Sequence, residues 1–441
     1  MRYIGDFHIH SHYSRATSKD MNIEELDRWA RIKGIQVLGT GDFTHPQWFR
    51  ELREKLEPAE EGLFKLKDGN SPIRFMLTVE VSSIYSQGGP SPRHSGLRPR
   101  EGGQVRRIHN IVFAPSFETA AKINRRLGEV GNLRADGRPI LGLPARELLR
   151  MVLDVSEDCL LVPAHIWTPW FSLFGSKSGF DSIEECFGDL SPYIYAIETG
   201  LSSDPAMNWR LSALDNITIL SNSDCHSARR IGREANVFEG EELSYKNIIG
   251  AIKFSRRANA GDSSLPMKLV LTIEFFPEEG KYHYDGHRDC KVRLAPSESK
   301  KVKAICPRCG GPVTVGVLSR VEELADRRAG YVPENAVPYR SMVPLDEIIA
   351  EAMEVGPQTK RVTREYDNLT GVFGNEFAVL LEAREEELEK ATLPEIVEAI
   401  RRVRSGQLSI EPGYDGEYGK VKVFNEGEKR SRKEQGSLFA V

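Results

Sequence analysis

The sequence has few cysteines, no long apolar run and no strong excess of one charge. Six cysteines in 441 residues are too few for a disulfide scaffold. Its apolar runs fall far short of the ~20 residues that a membrane helix needs, and the first residues lack the apolar core of a signal peptide. Lys and Arg number 60 against 64 Asp and Glu, a formal net charge of −4, which excludes a uniformly basic surface but not a local basic groove. We expect a cytoplasmic protein with no membrane partner.

Composition and length indicate a folded chain of two or three domains. Hydrophobic residues make up 40% of the chain and charged residues 28%, so a sizeable core can form. Changes in composition along the chain predict four regions. These are an α/β barrel over 1–275, a zinc-finger-like module over 276–330, a mixed α/β or helical C-terminal domain over 331–424 and a flexible tail over 425–441.

Short β-like runs alternate with amphipathic helical stretches over the first 275 residues. Asn22 and Gly34 are typical residues for the start and end of a helix over Ile23–Lys33. Seven runs have the apolar, partly β-branched pattern of buried strands: Tyr3–His10, Gln36–Gly41, Arg74–Val81, Ile108–Ala114, Cys159–Pro163, Tyr193–Glu198 and Ile217–Asn222. Seven strands with helical crossovers predict a closed or nearly closed parallel (β/α) barrel, although the alternation alone also fits an open doubly wound sheet.

One segment between the third and fourth predicted strands has no periodic pattern. Gly88–Arg107 is rich in glycine and proline and has a single acidic residue, Glu101. Its arginines are Arg93, Arg98, Arg100, Arg106 and Arg107. We interpret it as a long basic loop, which is either functional or an ordinary solvated surface loop.

Imidazole and carboxylate side chains lie near the ends of several predicted strands. His8 and His10 follow the first strand at a spacing that places both on one face, and Asp224 and His226 repeat this spacing after the last strand. Glu80, His109, His165 and Glu198 lie on or after strands in between. Each alone would more often be an ordinary core or surface residue. Because strand ends meet at one mouth of a parallel barrel, the whole set predicts a pocket for several metal ions.

These residues resemble the motifs of the PHP (polymerase and histidinol phosphatase) family. The resemblance rests on Asp6–Ser11, Gly39–Asp42, Glu80, His109, His165, Asp224 and His226. It implies a distorted (β/α)7 PHP barrel with two or three divalent ions (Zn, Mn, Mg or Fe) held by His8, His10, Glu80, His109, His165, Asp224 and His226, with Asp42 and Glu198 as further candidates. Asp224, His226 and His10 are the candidate catalytic residues. Many members have Asp-His after the second strand, where this chain has Asp42-Phe43, so Asp42, His45 and Asp20 remain alternatives for one ligand.

Within this family, the run 39–46 and the downstream cysteines resemble endonuclease Q, a DNA-repair nuclease. The resemblance implies a nucleoid-associated enzyme for metal-dependent hydrolysis of the phosphodiester 5′ to deaminated bases (hypoxanthine, uracil, xanthine) or abasic sites in damaged DNA. The arginines of the basic loop would then contact the flanking DNA phosphates. Trp167, Trp170 and Phe171, which follow the candidate ligand His165, could stack on a flipped base or simply pack. A phosphatase acting on a small phosphomonoester and a catalytically inactive DNA-binding adaptor are the alternative functions.

A second set of metal-binding side chains lies downstream of the barrel. Cys306 and Cys309 form a Cys-x-x-Cys knuckle followed by two glycines. With His287 and Cys290 they predict a closed Cys3His site for one structural zinc ion, and His283 is the alternative to His287. A redox pair is the other interpretation of Cys-x-x-Cys, but no thioredoxin-like pattern accompanies it.

The last residues contain a short pattern after a basic stretch. Gln435, Leu438 and Phe439 resemble a shortened sliding-clamp-binding peptide. A frayed, charged tail is the alternative interpretation.

Overall fold

The computed structural model describes residues 1–67, 70–87, 104–254 and 265–425. Within them the α-helices are Ile23–Lys33 (α1), Pro46–Lys55 (α2), Phe117–Val130 (α3), Ala145–Val155 (α4), Ile183–Phe187 (α5), Pro205–Asn208 (α6), Tyr245–Phe254 (α7), Pro296–Lys301 (α8), Val317–Leu324 (α9), Leu345–Ala352 (α10), Lys360–Phe373 (α11), Glu385–Ala391 (α12) and Pro394–Ser405 (α13). None of these described helices has the length and apolar character needed to cross a membrane.

The strands of the same ranges form one large mixed sheet and three small two-stranded sheets. They are Arg2–Asp6 (β1), Val37–Gly39 (β2), Leu56–Pro58 (β3), Phe64–Leu66 (β4), Arg74–Gln87 (β5), Gln104–Ala114 (β6), Ile140–Leu141 (β7), Leu160–Pro163 (β8), Ala196–Glu198 (β9), Thr218–Leu220 (β10), Ala235–Gly240 (β11), Met267–Glu274 (β12), Asp285–His287 (β13), Val292–Leu294 (β14), Tyr339–Ser341 (β15), Ser409–Glu411 (β16) and Lys420–Lys422 (β17).

All seven predicted strands form, as β1, β2, β5, β6, β8, β9 and β10. Parallel pairing joins β1 to β2, β2 to β5, and β9 to β10. Strand β6 lies between β5 and β8. Beyond β8 and β9, Ile166 N donates to Glu198 O at 3.1 Å, and a parallel bridge joins Ile9 to Cys225 beyond β1 and β10. These links bring the strands round into a closed circuit, which we call the seven-strand ring.

The prediction of an all-parallel barrel is wrong for β6, which runs antiparallel to both of its neighbours. Strands β5 and β6 form one long hairpin ladder from Leu77 opposite Ala114 to Gln87 opposite Gln104, and a hairpin reverses direction without a crossover helix. The two strands are also longer than predicted. Glu80 and His109 therefore lie within their strands rather than at strand ends, and His109 is directly opposite Ser82.

The predicted basic loop is shorter at its C-terminal end than expected. Arg106 and Arg107 belong to β6, while Arg93, Arg98 and Arg100 lie outside the described residues, as do Gln435, Leu438 and Phe439. The Arg106 side chain is buried, with Nη2 3.0 Å from Glu185 Oε1 and Nη1 bonded to the Gly179 carbonyl. It also lies over the Phe180 ring, 4.0 Å from the centroid. Because these partners occupy its guanidinium, Arg106 is a structural residue and not an exposed phosphate contact.

Helix α1 shows how local sequence positions the ring. The Asn22 side chain accepts a hydrogen bond from Glu25 N at 3.0 Å, and Gly34 ends the helix at a φ of 90°, which favours glycine. Ile23, Leu26 and Ala30 form its buried face. The predicted start and end of this helix are thus confirmed, and its burial against the sheet holds β1 and β2 beside each other.

The C-terminal helices pack against the seven-strand ring through a shared hydrophobic core and a buried polar contact. Lys33 Nζ of α1 lies 2.5 Å from Glu376 Oε2, and Tyr366 OH donates to the same oxygen at 2.5 Å. The other oxygen, Oε1, accepts from Leu345 N at 3.1 Å. Because the lysine and the carboxylate are both buried, their pairing fixes α10 and α11 against α1.

We expect Glu376→Ala to lower the free energy of unfolding by about 3–5 kcal/mol, since it leaves the Lys33 ammonium buried and unpaired. Urea unfolding followed by circular dichroism measures this change. The matched control is Glu387→Ala, which removes the carboxylate of an exposed pair with Arg384 and should cost less than about 1 kcal/mol. Equal effects of the two substitutions would contradict the inference that the buried Lys33–Glu376 pair stabilises the fold.

Candidate metal centre

Glu80 is the shared member of two groups of side chains that can each hold a metal ion. One group contains His8, His10, Glu80 and Asp224, and the other contains Glu80, His109 and His165. Within each group one ligand atom per residue lies within 4.8 Å of the others. The hairpin of β5 and β6 brings Glu80 and His109 together, with His109 Nδ1 2.6 Å from Glu80 Oε1. Six of the eight side chains predicted from strand positions therefore come together in space, around one carboxylate.

The first group leaves a buried nitrogen facing two carboxylates. His8 Nε2 has no hydrogen-bond partner among the described residues. It lies 3.6 Å from both Glu80 Oε2 and Asp224 Oδ1, too far for a hydrogen bond. His10 Nε2 is 3.1 Å from Asp224 Oδ1 and 3.3 Å from Glu80 Oε2. A cation between these atoms would satisfy the buried nitrogen, so the group fits a metal ion.

The second group is equally compact. His165 Nε2 lies 3.1 Å from Glu80 Oε1 and 3.2 Å from His109 Nδ1. All three side chains are buried. Mixed imidazole and carboxylate donors suit zinc, manganese or iron better than calcium or magnesium, which prefer oxygen ligands.

Two further carboxylates lie behind the histidines rather than among the metal-binding groups. Glu198 accepts from His8 Nδ1, with both oxygens at 3.0 Å, and Asp42 Oδ1 lies 3.2 Å from His10 Nδ1. Asp42 Oδ2 is itself held by Ser11 and Ser14, whose hydroxyls donate at 2.6 and 2.8 Å. In these positions Glu198 and Asp42 orient the two imidazoles so that Nε2 of each faces the centre.

The remaining candidates for this site lie outside the two groups. The His226 ring is half-buried, 4.6 Å from the His10 ring, with Nδ1 3.0 Å from the Asp224 carbonyl oxygen. Asp20 is exposed, and His45 stacks on Tyr13 with ring centroids 4.3 Å apart. Of the alternatives that the sequence left open, only Asp42 touches the centre.

Tight backbone turns carry the ligands into place. Asp42, His165 and Asp224 all have positive φ, which is uncommon outside glycine and marks sharp turns after β2, β8 and β10. Gly200, at a φ of +57°, approaches His165 so closely that a Cβ there would lie 2.4 Å from His165 Cβ. This glycine is required because the loop after β9 passes directly over the ligand.

Burial and neighbouring charges act in opposite directions on these groups. Burial would lower the pKa of His8, but Glu198, Asp224 and Glu80 raise it well above its ordinary value. Burial would raise the pKa of Glu80, but His109, Arg138 and His8 hold that pKa well below its ordinary value. By contrast, burial lowers the pKa of His109 to about 4. The centre therefore keeps its carboxylates ionised and attracts positive charge, as a site for divalent cations does.

Arg138 is a member of the centre that sequence reasoning missed. Its Nη1 lies 3.0 Å from Glu80 Oε2, and the Glu80 carboxylate is the main cause of the raised pKa of its guanidinium. It follows Gly137, which approaches Asp42 so closely that a Cβ at position 137 would lie 2.2 Å from Asp42 Oδ2. Neither residue belongs to a periodic pattern. Only the packing of the 136–140 segment against β5 brings the Arg138 guanidinium to the metal-binding groups.

The aromatic residues after His165 have different environments. Trp167 is fully buried, and its Nε1 donates to Asn208 Oδ1 at 2.8 Å, so the hypothesis that it stacks on a DNA base does not fit its position. Trp170 is 36% exposed and packs edge-to-face on Tyr282, with centroids 5.4 Å apart. The Phe171 ring centroid lies 4.8 Å from that of the His109 ring and 5.5 Å from Cζ of Arg107.

A separate metal-binding group lies downstream. The ligand atoms of His287, Cys290, Cys306 and Cys309 lie within 4.8 Å of one another. Gly310, at a φ of +73°, allows the knuckle to turn back, with its N–H donating to the Cys306 carbonyl at 2.9 Å. His283 is buried elsewhere and is not part of the group. Three thiols and one imidazole are the donor set of a closed tetrahedral site, so the residues present fit a zinc ion.

Backbone groups also favour the thiolate form at this site. Although burial would raise the pKa of Cys306, hydrogen bonds from the backbone of Cys309 and Arg308 lower it to about 7. A thiol that ionises near neutral pH is suited to binding metal, because the thiolate is the form that coordinates it.

We expect Glu198→Gln to weaken metal binding at the centre by about 10- to 100-fold while the fold is kept, since an amide orients His8 less strongly than a carboxylate does. Titration of the metal-free protein with Zn²⁺ or Mn²⁺ measures the affinity. Glu239→Gln, at an exposed carboxylate paired with Arg2, is the matched control and should bind as the parent does. Unchanged affinity in the Glu198 variant would contradict its role in orienting the ligand.

Comparison with known proteins finds one relative of similar length and one that is much longer. It is 30% identical to the uncharacterised protein YqxK of Bacillus subtilis over 88% of this chain and 89% of that protein. It is 35% identical over 281 residues to the uncharacterised protein MJ0043 of Methanocaldococcus jannaschii, of whose length it spans about a third (33%). Residues 344–407 match the model of the MJ0043 C-terminal domain family.

Two solved structures are similar over nearly the whole chain. The lesion-specific endonuclease PfuEndoQ from Pyrococcus furiosus has a TM-score of 0.81 and 30% identity, with 98% of this chain and 99% of that chain covered. Endonuclease Q in complex with a 27-mer duplex that has an abasic lesion at the active site has a TM-score of 0.80 and 31% identity, with 97% and 98% covered. Agreement in both sequence and structure from end to end shows that this chain belongs to the endonuclease Q family.

Proposed function

We propose that this protein is a metal-dependent DNA-repair endonuclease that cleaves the phosphodiester 5′ to a deaminated base (hypoxanthine, uracil or xanthine) or an abasic site. The observation that carries the proposal is the pair of metal-binding groups sharing Glu80, in a chain that aligns from end to end with a lesion-specific endonuclease. The related complex with an abasic duplex supports damaged DNA as the substrate class.

The side chains of the centre have distinct tasks in this proposal. Divalent ions, when bound, would supply hydroxide near neutral pH and stabilise charge on the phosphorus. His8, His10 and Asp224 would hold one ion and His109 and His165 another, with Glu80 common to both. The Arg138 guanidinium, already aimed into the centre, would bind a non-bridging oxygen of the scissile phosphate. Half-buried His226 lies beside the His10 ring, where it would meet the leaving oxygen or hold a further ion.

The other regions complete the proposal. In this proposal the seven-strand ring is a PHP barrel within residues 1–275. The four metal-binding side chains in 276–330 belong to a zinc-finger-like module that folds around one structural zinc ion. The helices of 331–424 form the C-terminal domain. Binding of a sliding clamp by Gln435, Leu438 and Phe439 stays a prediction, because these residues lie outside the described part of the chain.

The decisive experiment is a nicking assay on labelled duplexes. Each duplex has one hypoxanthine, uracil, xanthine or abasic site, beside an undamaged control, and the purified protein is assayed with manganese, magnesium or zinc. We expect a single nick 5′ to the lesion, lost on chelation and in Asp224→Asn, while Asp224→Asn still binds the lesion duplex. Asp20→Asn, at an exposed carboxylate outside both groups, should nick as the parent does.

Two outcomes would overturn the proposal. Binding of lesion DNA without cleavage in any metal would favour the inactive adaptor. Intact DNA without binding, together with release of phosphate from a small phosphomonoester, would favour the phosphatase.

A further inference from the structure

A buried serine hydroxyl without a partner lies on the strand that carries Glu80. Ser82 is 1% exposed, and its Oγ has no hydrogen-bond partner among the described residues. Such a hydroxyl lowers the stability of a fold, because it has lost its hydrogen bonds to water and has gained none in return. Packing alone therefore does not explain a serine at this position, and a ligand that the hydroxyl binds in the working protein does.

The register of the long hairpin shows which way Ser82 faces. The pairing of β5 with β6 is continuous from Leu77 to Gln87, so side chains alternate between the two faces without interruption. Ser82 is two residues after Glu80 and shares its face. It is directly opposite His109, whose Nδ1 lies 2.6 Å from Glu80 Oε1. The hydroxyl thus lies on the face of the hairpin that carries two members of the second metal-binding group.

The segment on the other side of Ser82 also belongs to the centre. Ser82 N donates to Pro139 O at 3.0 Å, and Ser82 pairs with Ile140 of β7 in parallel register. Continued back by two residues, this register places Arg138 beside Glu80, in agreement with the 3.0 Å distance between Arg138 Nη1 and Glu80 Oε2. Ser82 is therefore bordered by residues of the centre on both neighbouring strands.

The two metal-binding groups differ in the number of side chains that they contain. Among the described residues the first group has four and the second has three, Glu80, His109 and His165. A divalent ion held by three protein side chains keeps a position for water, as catalytic zinc sites do. Because the Ser82 hydroxyl is buried, a molecule as small as water fits beside it better than a phosphate group does.

We propose that Ser82 Oγ holds the water that attacks the phosphorus, through a hydrogen bond at the second metal-binding group. The inference rests on the proposed function, since this water is needed only if the centre hydrolyses DNA. A serine hydroxyl both donates and accepts, so it can accept a hydrogen bond from water and donate one to hydroxide. Donation stabilises the negative charge of hydroxide. The bond from the water oxygen to phosphorus forms as the bond to the leaving oxygen breaks, and the proton that the water loses passes to solvent.

The next residue in the chain provides a matched control. Ser83 Oγ is also buried and has no partner in the part of the chain that the structure describes. Ser83 lies on the opposite face, where its cross-strand neighbour Ile108 belongs to the main hydrophobic core. Ser82→Ala and Ser83→Ala therefore remove the same atom on the two sides of one strand. Neither should lower the free energy of unfolding of the metal-free protein appreciably in urea, because neither hydroxyl has a hydrogen bond to lose.

We expect Ser82→Ala to lower the single-turnover rate of nicking an abasic-site duplex by about 10- to 100-fold, and Ser83→Ala to change it by less than about twofold. The Zn²⁺ or Mn²⁺ affinity of the metal-free protein should stay within about twofold of the parent's in both variants, as should the Kd for the duplex in the Asp224→Asn background. The acidic limb of the pH–rate profile should move to higher pH in Ser82→Ala alone, because hydroxide forms less readily without the donor.

Three outcomes would overturn the Ser82 proposal. If the parent nicks lesion DNA and Ser82→Ala nicks as fast as Ser83→Ala, the proposal is wrong and the proposed function stands. A fall in metal affinity that matches the fall in rate would also contradict it, because Ser82 would then act through His109 and not on the water. If the parent nicks no lesion DNA in any metal, the Ser82 proposal and the proposed function fail together.

Discussion

Glu80→Gln should reduce the rate of lesion-DNA nicking by about a thousandfold or more, and should reduce the metal content of the purified protein at the same time. The reason is that Glu80 is the one ligand common to both metal-binding groups. Its Oε1 faces His109 and His165, and its Oε2 faces His10 and Arg138, so loss of the negative charge affects every one of these contacts.

Single-turnover nicking rates and elemental analysis of the bound metal measure the two effects. Asp20→Asn serves as the control, because it also neutralises one carboxylate but on an exposed loop position. A Glu80 variant that keeps its metal and nicks within a few-fold of the parent would show that the two groups are not one centre. Excess metal should restore part of the rate if the loss is one of affinity.

Cys309→Ser should remove the downstream zinc ion and unfold the module around it. The affinity for zinc should fall by about 100-fold or more, because serine does not replace a thiolate in a tetrahedral site. Cys309 is the exposed member of the group, whereas Cys306 is buried, so the substitution tests metal binding rather than packing. The small core under the module, formed by Val292, Cys306 and Val313, is too small to keep it folded without the metal.

Zinc content by elemental analysis, and limited proteolysis of residues 276–330, measure these outcomes. Asp289→Asn, in the turn between His287 and Cys290 and with its side chain 84% exposed, should leave both unchanged. A parent protein with no zinc, or a Cys309 variant with the parent's zinc content and protease resistance, would contradict the assignment. Nicking should weaken less than in Glu80→Gln, because the module lies outside the centre.

Much of the site followed from local sequence. The spacing of His8 and His10 places both imidazoles on one face of an extended segment, and Asp224 and His226 repeat it, so their direction depends only on the geometry of a strand. The knuckle Cys306-Pro-Arg-Cys309-Gly is likewise a local motif. The strands that carry these residues were identifiable because buried strands are short, apolar and separated by amphipathic helices.

Long-range contacts decided what local patterns could not. Periodicity does not show the direction of a strand, so an antiparallel β6 was not predicted, although it is what sets His109 against Glu80. The position of Arg138 was not predicted either, because this residue belongs to no motif. The burial of Trp167 was not predicted because it depends on a contact with helix α6. Asp42 and Glu198 could be recognised as candidates, but only their distances to His10 and His8 show that they orient the ligands.

The sequence alone was sufficient to determine the family and the seven strands, because both depend on residue types at short spacings. It also predicted most of the side chains that lie together around Glu80. Which carboxylates belong to the metal-binding groups, which lie behind the histidines and which arginine enters the centre were decided by the tertiary structure. The physical reason is that the role of each side chain depends on distances of about 3 Å between residues that can be more than two hundred positions apart in the chain. Such distances exist only after the strands have paired and the core has packed.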